Sequence, residues 1–540
     1  MSGYNFNVTK ILDTEVLIVG AGNAGLMAAT AAAEKGAKVT VIEKEDSINL
    51  MRVGLAGVGT NAQKRAGITI NKYDLVEYLA AFAQHNVDED LIYHWANHSA
   101  EAVNWVEDNI LKPHGAHLRS EPDAMLTSSA YEAFPTENDP TVDDKTFTFY
   151  GEWIQEKVKE MGVTLKFKTP LVQLIKGSDG VQGVIVHDLT SNEYWQIKVS
   201  KGVILATGGY SANTELLKKW NPVALKKNVY NDSPRNDGAG IVSALDVGAI
   251  KDEEPAHCIF DRGLVPVGTK TEDMYVQTAT YKDWLWLGSH PLLKVNLRGQ
   301  RFSNESVPYQ FIVNAASKQP GYLYAMIWDD NYGEYAKQFH MLGCARVGFP
   351  GYMASSEKLM EDTEQYVKKG LVVKADSIEE LAKKLHLPVE NLKITVKRNN
   401  HLVVDNFDKD FGKEPYRLTP VDKKPFYGCI LGGRILCTND GLRVNKKMQV
   451  LNSNYEPIRH LYAAGNDSGG FFFGSYPDRV PGLAASHAQT FGRLAGQAAT
   501  EELDTAKSVK TSPAEKENEK TKVTQSLKPG TDATTGPSES

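Results

Sequence analysis

Apolar residues run unbroken over positions 16–19, stop at Gly20, resume as an Ala-rich stretch over 26–35, and return as a second unbroken run over 39–42. Two short, fully apolar runs read as strands covered on both faces, and the stretch between them, ended by Gly36, reads as a helix. The second strand carries Glu43 at its tip. Residues 73–111 place Leu75, Tyr78, Leu79 and Phe82 on one helical face and predict two amphipathic helices. A helix over 148–161 and a strand over 164–167 follow. Alternation then predicts a meander over 171–176, 181–188 and 194–200, with Gly177-Ser-Asp-Gly180 as a hairpin turn. Residues 202–205 read as a separate apolar strand ending in small residues. Near the C-terminus, 458–465 predicts a strand, 466–482 a loop dense in Gly and aromatics, and 483–500 a helix that points its N-terminus toward the same region. Residues 115–144, with Tyr131 among them, read as an irregular loop. Residues 501–540 hold almost no large apolar side chains, so disorder is expected there.

The glycines add chemistry to the first unit. Gly20, Gly22 and Gly25 form G-x-G-x-x-G between strand and helix, which suits a tight turn, backbone approach to a pyrophosphate and close helix–strand packing. With the acid at the next strand's tip, this predicts a dinucleotide site for FAD or NAD, Glu43 taking ribose hydroxyls. Asn23, Ala24 and Lys44 are further candidate contacts. So are Val58, Gly59, Thr60 and Asn61, in a loop of small residues placed to approach a flat ring. Ala206, Thr207, Gly208, Gly465, Asn466, Leu483 and Ala484 are candidates at later strand ends and at the last helix.

Composition narrows the class. The chain has 540 residues, 41% of them hydrophobic, and a net charge of −7, giving no case for nucleic acid or an anionic membrane. The four cysteines are scattered with no C-x-x-C, so no metal is expected. No apolar run reaches the ~18 residues of a membrane span. Residues 1–10 lack the pattern of an export signal, and a cytoplasmic location is the expectation. Between 249 and 415 the texture changes: Trp284, Trp286, Tyr322, Tyr324 and Trp328 cluster, and β–α alternation fades. A helix over 377–385, capped by Asp376 or Ser377, stands out there.

The glycine unit, Leu205-Ala-Thr-Gly-Gly209 with Asn213, Asn236-Asp-Gly238, Leu461-Tyr-Ala-Ala-Gly-Asn466 and Thr490-Phe-Gly-Arg-Leu-Ala-Gly496 together make a set of runs. This set resembles the FAD-binding flavoprotein family of soluble fumarate reductase, succinate dehydrogenase flavoprotein and 3-ketosteroid-1-dehydrogenase. The resemblance implies an α/β fold: a Rossmann-like FAD-binding domain of glutathione-reductase type with an inserted α+β capping domain. The boundaries it suggests are 1–248 and 416–500 for the FAD domain, 249–415 for the cap and 501–540 for the tail. It adds Asn213 and Asp237 to the cofactor contacts and places the flavin ring near 58–61 and Gly482. Attachment is expected to be non-covalent, because residues 44–61 hold no His.

For the substrate, Asn304-Glu-Ser-Val-Pro-Tyr309 and Tyr476-Pro477 before Gly482 resemble the ketosteroid dehydrogenase branch. The expected reaction is hydride transfer between flavin and a C=C bond conjugated to a carbonyl. Tyr476 and the Gly482 amide would hold the carbonyl oxygen, and Tyr309 would exchange the proton. Arg479, the match to a clamp arginine of the fumarate reductase branch, keeps open a carboxylate reductase of the fumarate, urocanate or acrylate type. His257 and His290 are weaker candidates, and His487 is read as structural. A separate electron donor or acceptor is expected, since no second dinucleotide loop is visible.

Overall fold

A computed structural model describes residues 6–48, 54–120, 133–270, 283–339 and 355–501. Tyr131 and the expected disordered tail beyond Glu501 lie outside the described residues.

The first sheet grows from the apolar runs. Val8–Val19 pairs in parallel with Val39–Ile42 on one side and with Glu193–Leu205 on the other. Thr164–Lys166 extends one edge, Pro457–Ala463 and Gln449–Leu451 the other, among eight strands in all. Residues 16–19 and 203–205 are buried on both faces, which is why they read as continuous apolar runs rather than alternating ones. The two strands expected at 194–200 and 202–205 are one, Glu193–Leu205. Its outer half also pairs with the hairpin strand Gly180–Asp188, and its inner half with Pro457–Ala463, so the alternation changes where the covering layer changes.

The helix Asn23–Glu34 covers this sheet and packs on Leu483–Thr500. Contact is close because Gly492 and Gly496 lie against the backbone of Ala24 and Ala28; a Cβ at either would sit 2.3 Å from a carbonyl oxygen.

A second sheet of seven strands is centred on Phe426–Thr438, which pairs with Ala256–Val265, Tyr324–Asp329, Val372–Ala375 and Asn228–Asn231. Its longest strand and Asn228–Asn231 both lie outside 249–415, so this layer draws chain from either side of the texture change. Part of the expected loop 115–144 is ordered: His117–Arg119 and Glu137–Thr141 form a small sheet with Leu55–Ala56. Ser377, not Asp376, caps the helix Ile378–Lys384, accepting the Glu380 N–H at 3.2 Å. Among the described residues no helix is long and apolar enough to cross a membrane, and no group of His, Cys, Asp and Glu could hold a metal.

Candidate active site

At the carboxyl edge of the first sheet, main chain closes around a space. Gly20 turns at φ +106°, and a Cβ there would lie 2.3 Å from the Ala206 carbonyl oxygen; one on Gly25 would lie 1.8 Å from the carbonyl oxygen of Gly20. Gly22 is different. A Cβ on it would meet no protein atom within 4 Å, because it faces a cavity of about 1010 Å³ also lined by Gly20, Asn23 and Ala24. The helix Asn23–Glu34 begins there with no side-chain cap. Its first turn therefore opens on the cavity as an anion site. The Glu43 carboxylate accepts the Ala21 N–H at 2.8 Å and the Glu45 N–H at 3.0 Å. These bonds fix it at the wall and leave lone pairs for ribose hydroxyls. Lys44, also on the wall, pairs with Asp237 at 2.6 Å.

Ala206, Thr207 and Gly208 face this cradle from the neighbouring strand end. Asp467 holds their turn, accepting the Thr207 N–H at 2.5 Å, its hydroxyl at 2.7 Å and the Gly209 N–H at 2.9 Å. Burial raises the Asp467 carboxyl above its ordinary value, and those three donors oppose the rise. No sequence motif marked Asp467; its only signal was its place directly after Gly465 and Asn466, both of which line the cavity. Asn213 caps Thr214–Trp220 and donates to the Asp237 carbonyl at 3.0 Å, so it braces the wall from behind.

The loop expected to meet the ring does not line this cavity. Thr60 caps the helix Asn61–Arg65 and donates to Asn138 at 2.6 Å. The amides of Val58, Gly59, Thr60 and Asn61 are given to Ser99, Gln63 and Asn104 side chains. Those four amides are satisfied within the protein. Leu483 is buried in the core, whereas Gly482 and Ala484 reach the cavity.

The far end of the cavity belongs to the second sheet. Cys258 and Phe260 come from one strand, Arg434, Leu436 and Cys437 from its partner, and Trp284 and Trp286 from the segment beside them. The two indoles meet edge-on at 4.8 Å, with the Arg434 guanidinium 4.2 Å from the Trp284 ring and Arg262 4.3 Å from those of Trp286 and Phe260. In the sequence Trp284 and Trp286 marked only a change of texture. Tyr476 closes the gap between cradle and rings. Its hydroxyl accepts the Ala484 N–H at 2.9 Å, and burial pushes its pKa well above the ordinary value. It therefore stays a protonated donor.

Two expected catalytic residues stand off the lining. Tyr309 is buried, packs edge-on against Phe260 at 5.5 Å, and gives its backbone N–H to Asp478. Arg479 is 2% exposed and donates to the Ser306 carbonyl at 2.7 Å. His257 contacts Asn221 at 3.0 Å, and burial lowers its pKa to about 3. His290 packs on Phe339. His487 lies among Phe471, Phe472 and Phe491.

The family model described as "FAD binding domain" matches residues 15–478. The chain belongs to this FAD-binding family. Its cofactor is FAD, and it is an FAD-dependent oxidoreductase. The uncapped helix start, the open space at Gly22 and the carboxylate at the wall fit that cofactor: Gly20, Gly22 and the first helical turn would hold the pyrophosphate and Glu43 the adenosine ribose. The chain is similar to a vinyl phenol reductase of Lactiplantibacillus plantarum, at 28% identity over 508 residues covering 90% of this chain and 96% of that one. A fumarate reductase (cytochrome) of Shewanella frigidimarina is 27% identical over 491 residues, 90% of this chain and 76% of the relative. In fold it resembles the 3-ketosteroid delta1-dehydrogenase of Sterolibacterium denitrificans, with TM-score 0.69 and 20% identity over 90% of this chain and 98% of that structure.

Proposed function

We propose that this protein reduces the C=C bond of a flat, conjugated small molecule, either an aryl alkene bearing a para hydroxyl or an enone. FAD, when bound and reduced by a separate electron donor, would supply the hydride. In an enone the hydride adds to the β carbon and the electron pair moves to the carbonyl oxygen. In a para-hydroxy aryl alkene, protonation of the terminal carbon and loss of the phenolic proton give a quinone methide, itself a conjugated carbonyl, and hydride addition to its exocyclic carbon returns the pair to oxygen. Both routes need a donor where the oxygen charges and a wall that accepts a planar ring.

Tyr476 is that donor: its hydroxyl accepts from Ala484, which leaves its own proton to give into the cavity. Gly482, at the same corner, is the second donor in this reading. Phe260, Trp284 and Trp286 hold the ring by stacking and exclude water. Tyr309, behind Phe260, holds the wall and is not assigned the proton.

The observation that carries the reading is one cavity running from the cradle to a wall of aromatic side chains, with Arg479 turned to Ser306 instead of into it. A relative named for vinyl phenol, similar over 96% of its length, supports the same substrate class. A separate electron donor feeds the site. The division into FAD domain and cap is proposed to follow the two sheets.

The test is steady-state turnover of the FAD-loaded enzyme with a reduced viologen as donor. 4-Vinylphenol and cyclohexenone are expected to be reduced well above fumarate and urocanate. Preference for either carboxylate would put the clamp arginine back at the centre.

A further inference from the structure

Cys258 and Cys437 lie on neighbouring antiparallel strands and are direct register partners. Direct partners across such a pair share one face of the sheet, with Cα atoms about 4.5–5.5 Å apart. A disulfide needs a Cα separation of roughly 4.4–6.8 Å. The register shifts immediately after Cys258, before Ile259, so regular pairing does not lock this end of the strand.

Neither cysteine is in a disulfide, and both are buried, at 1% and 7% exposure, yet both line the FAD cavity beside Tyr476 and Gly482. The cavity gives a small oxidant a route to them. Cys429, on the same strand, instead pairs with Met326 and Val372 and packs in the apolar core of the second sheet.

We propose that Cys258 and Cys437 are a redox-active dithiol in the substrate wall, which a peroxide converts to a disulfide that shuts down the substrate end of the cavity. One thiolate attacks the O–O bond, giving a sulfenic acid and, after proton uptake, one water. The second sulfur then displaces the sulfenic oxygen, which leaves as a second water. The two sulfurs lose two electrons and two protons, and the peroxide is reduced by the same two electrons. Exchange with an external dithiol reverses the step. The link itself is independent of the substrate; only its effect on turnover rests on the proposed function.

The test treats the FAD-loaded enzyme with hydrogen peroxide, alkylates remaining thiols with N-ethylmaleimide, and maps peptides without reduction. The expected result is one peptide pair joined through Cys258 and Cys437. Turnover should be lost in proportion to that pair and restored by dithiothreitol, with flavin content unchanged. In Cys258→Ser no joined pair should form, and whatever turnover remains should ignore peroxide. Four alkylated cysteines in the treated wild type, or a disulfide through another partner, would overturn the proposal. A joined pair with full turnover would overturn the shut-down. A joined pair in an enzyme inert to every alkene, even when reduced, would support the dithiol and sink the substrate assignment.

Discussion

The cradle end of the cavity is built from backbone and the far end from side chains. At the cradle, Gly20, Gly22 and residues 206–208 bring main chain to the cavity, and the approach of Gly20 to Ala206 leaves no room for a single Cβ. At the far end, Phe260, Trp284, Trp286 and Tyr476 present rings from segments far apart in the chain. The contrast separates what is general from what is particular. Backbone amides at a helix start suit a pyrophosphate whatever the side chains, while in the proposed function the substrate is met by side-chain rings.

Substitutions at the glycines should have the largest effect. Gly25→Ala drives a methyl onto the Gly20 carbonyl, a backbone clash with nowhere to relax. The expected cost is of order 4 kcal/mol or more, seen as loss of soluble folded protein. Gly22→Ala meets no protein atom, so its melting temperature should hold while FAD occupancy, read from flavin absorbance per protein, falls. A reversed pattern would show that the cradle is not shaped around a ligand.

Tyr476→Phe tests the far end. It should lower kcat by about 10²-fold with the flavin spectrum intact. Unchanged turnover would remove the phenol from the chemistry.

A smaller effect is expected at His487. Its pKa falls to about 3 because burial penalises the charged ring, and neither ring nitrogen has a hydrogen-bond partner among the described residues. Since the folded value lies below the unfolded one, stability is intact above about pH 6.5 and drains away as pH falls toward 3, because the unfolded chain takes up the proton first. His487→Phe should remove this slope, gaining of order 1–2 kcal/mol at pH 5 relative to pH 8 in denaturant titrations. An unchanged slope would assign the pH dependence elsewhere.

Arg479→Lys should change least in catalysis. KM for an aryl alkene should stay put while thermal stability drops, because the guanidinium bonds the Ser306 carbonyl rather than the cavity. A large rise in KM would restore the carboxylate clamp.

The same contrast explains what could be read from the chain alone. The glycine spacing, the acid at Glu43 and the strand ends at 206–208 and 465–466 were legible, because close approach of backbone to a ligand restricts residue type at fixed intervals. Residues 58–61 admit two readings: small residues suit a ring contact, but they equally suit a tight helix start, and Thr60 with Gln63 makes a capping box there. Asp467 escaped because a carboxylate that braces a turn needs no particular neighbour in sequence. Tyr309 and Arg479 sit in runs that resemble family branches, yet side-chain direction depends on Phe260 and Ser306, which no local pattern reports. The wall rings escaped because a pairing such as Cys258 with Cys437 exists only once distant strands have met.

The most direct measurement is a crystal structure of the FAD-loaded enzyme with 4-ethylphenol. The phenol ring should lie in the same cavity as the flavin, against Phe260 and Trp286, with its reacting carbons facing the flavin beside Tyr476. A ligand held at Arg479, or one outside the cavity that joins the cradle to the rings, would contradict the assignment.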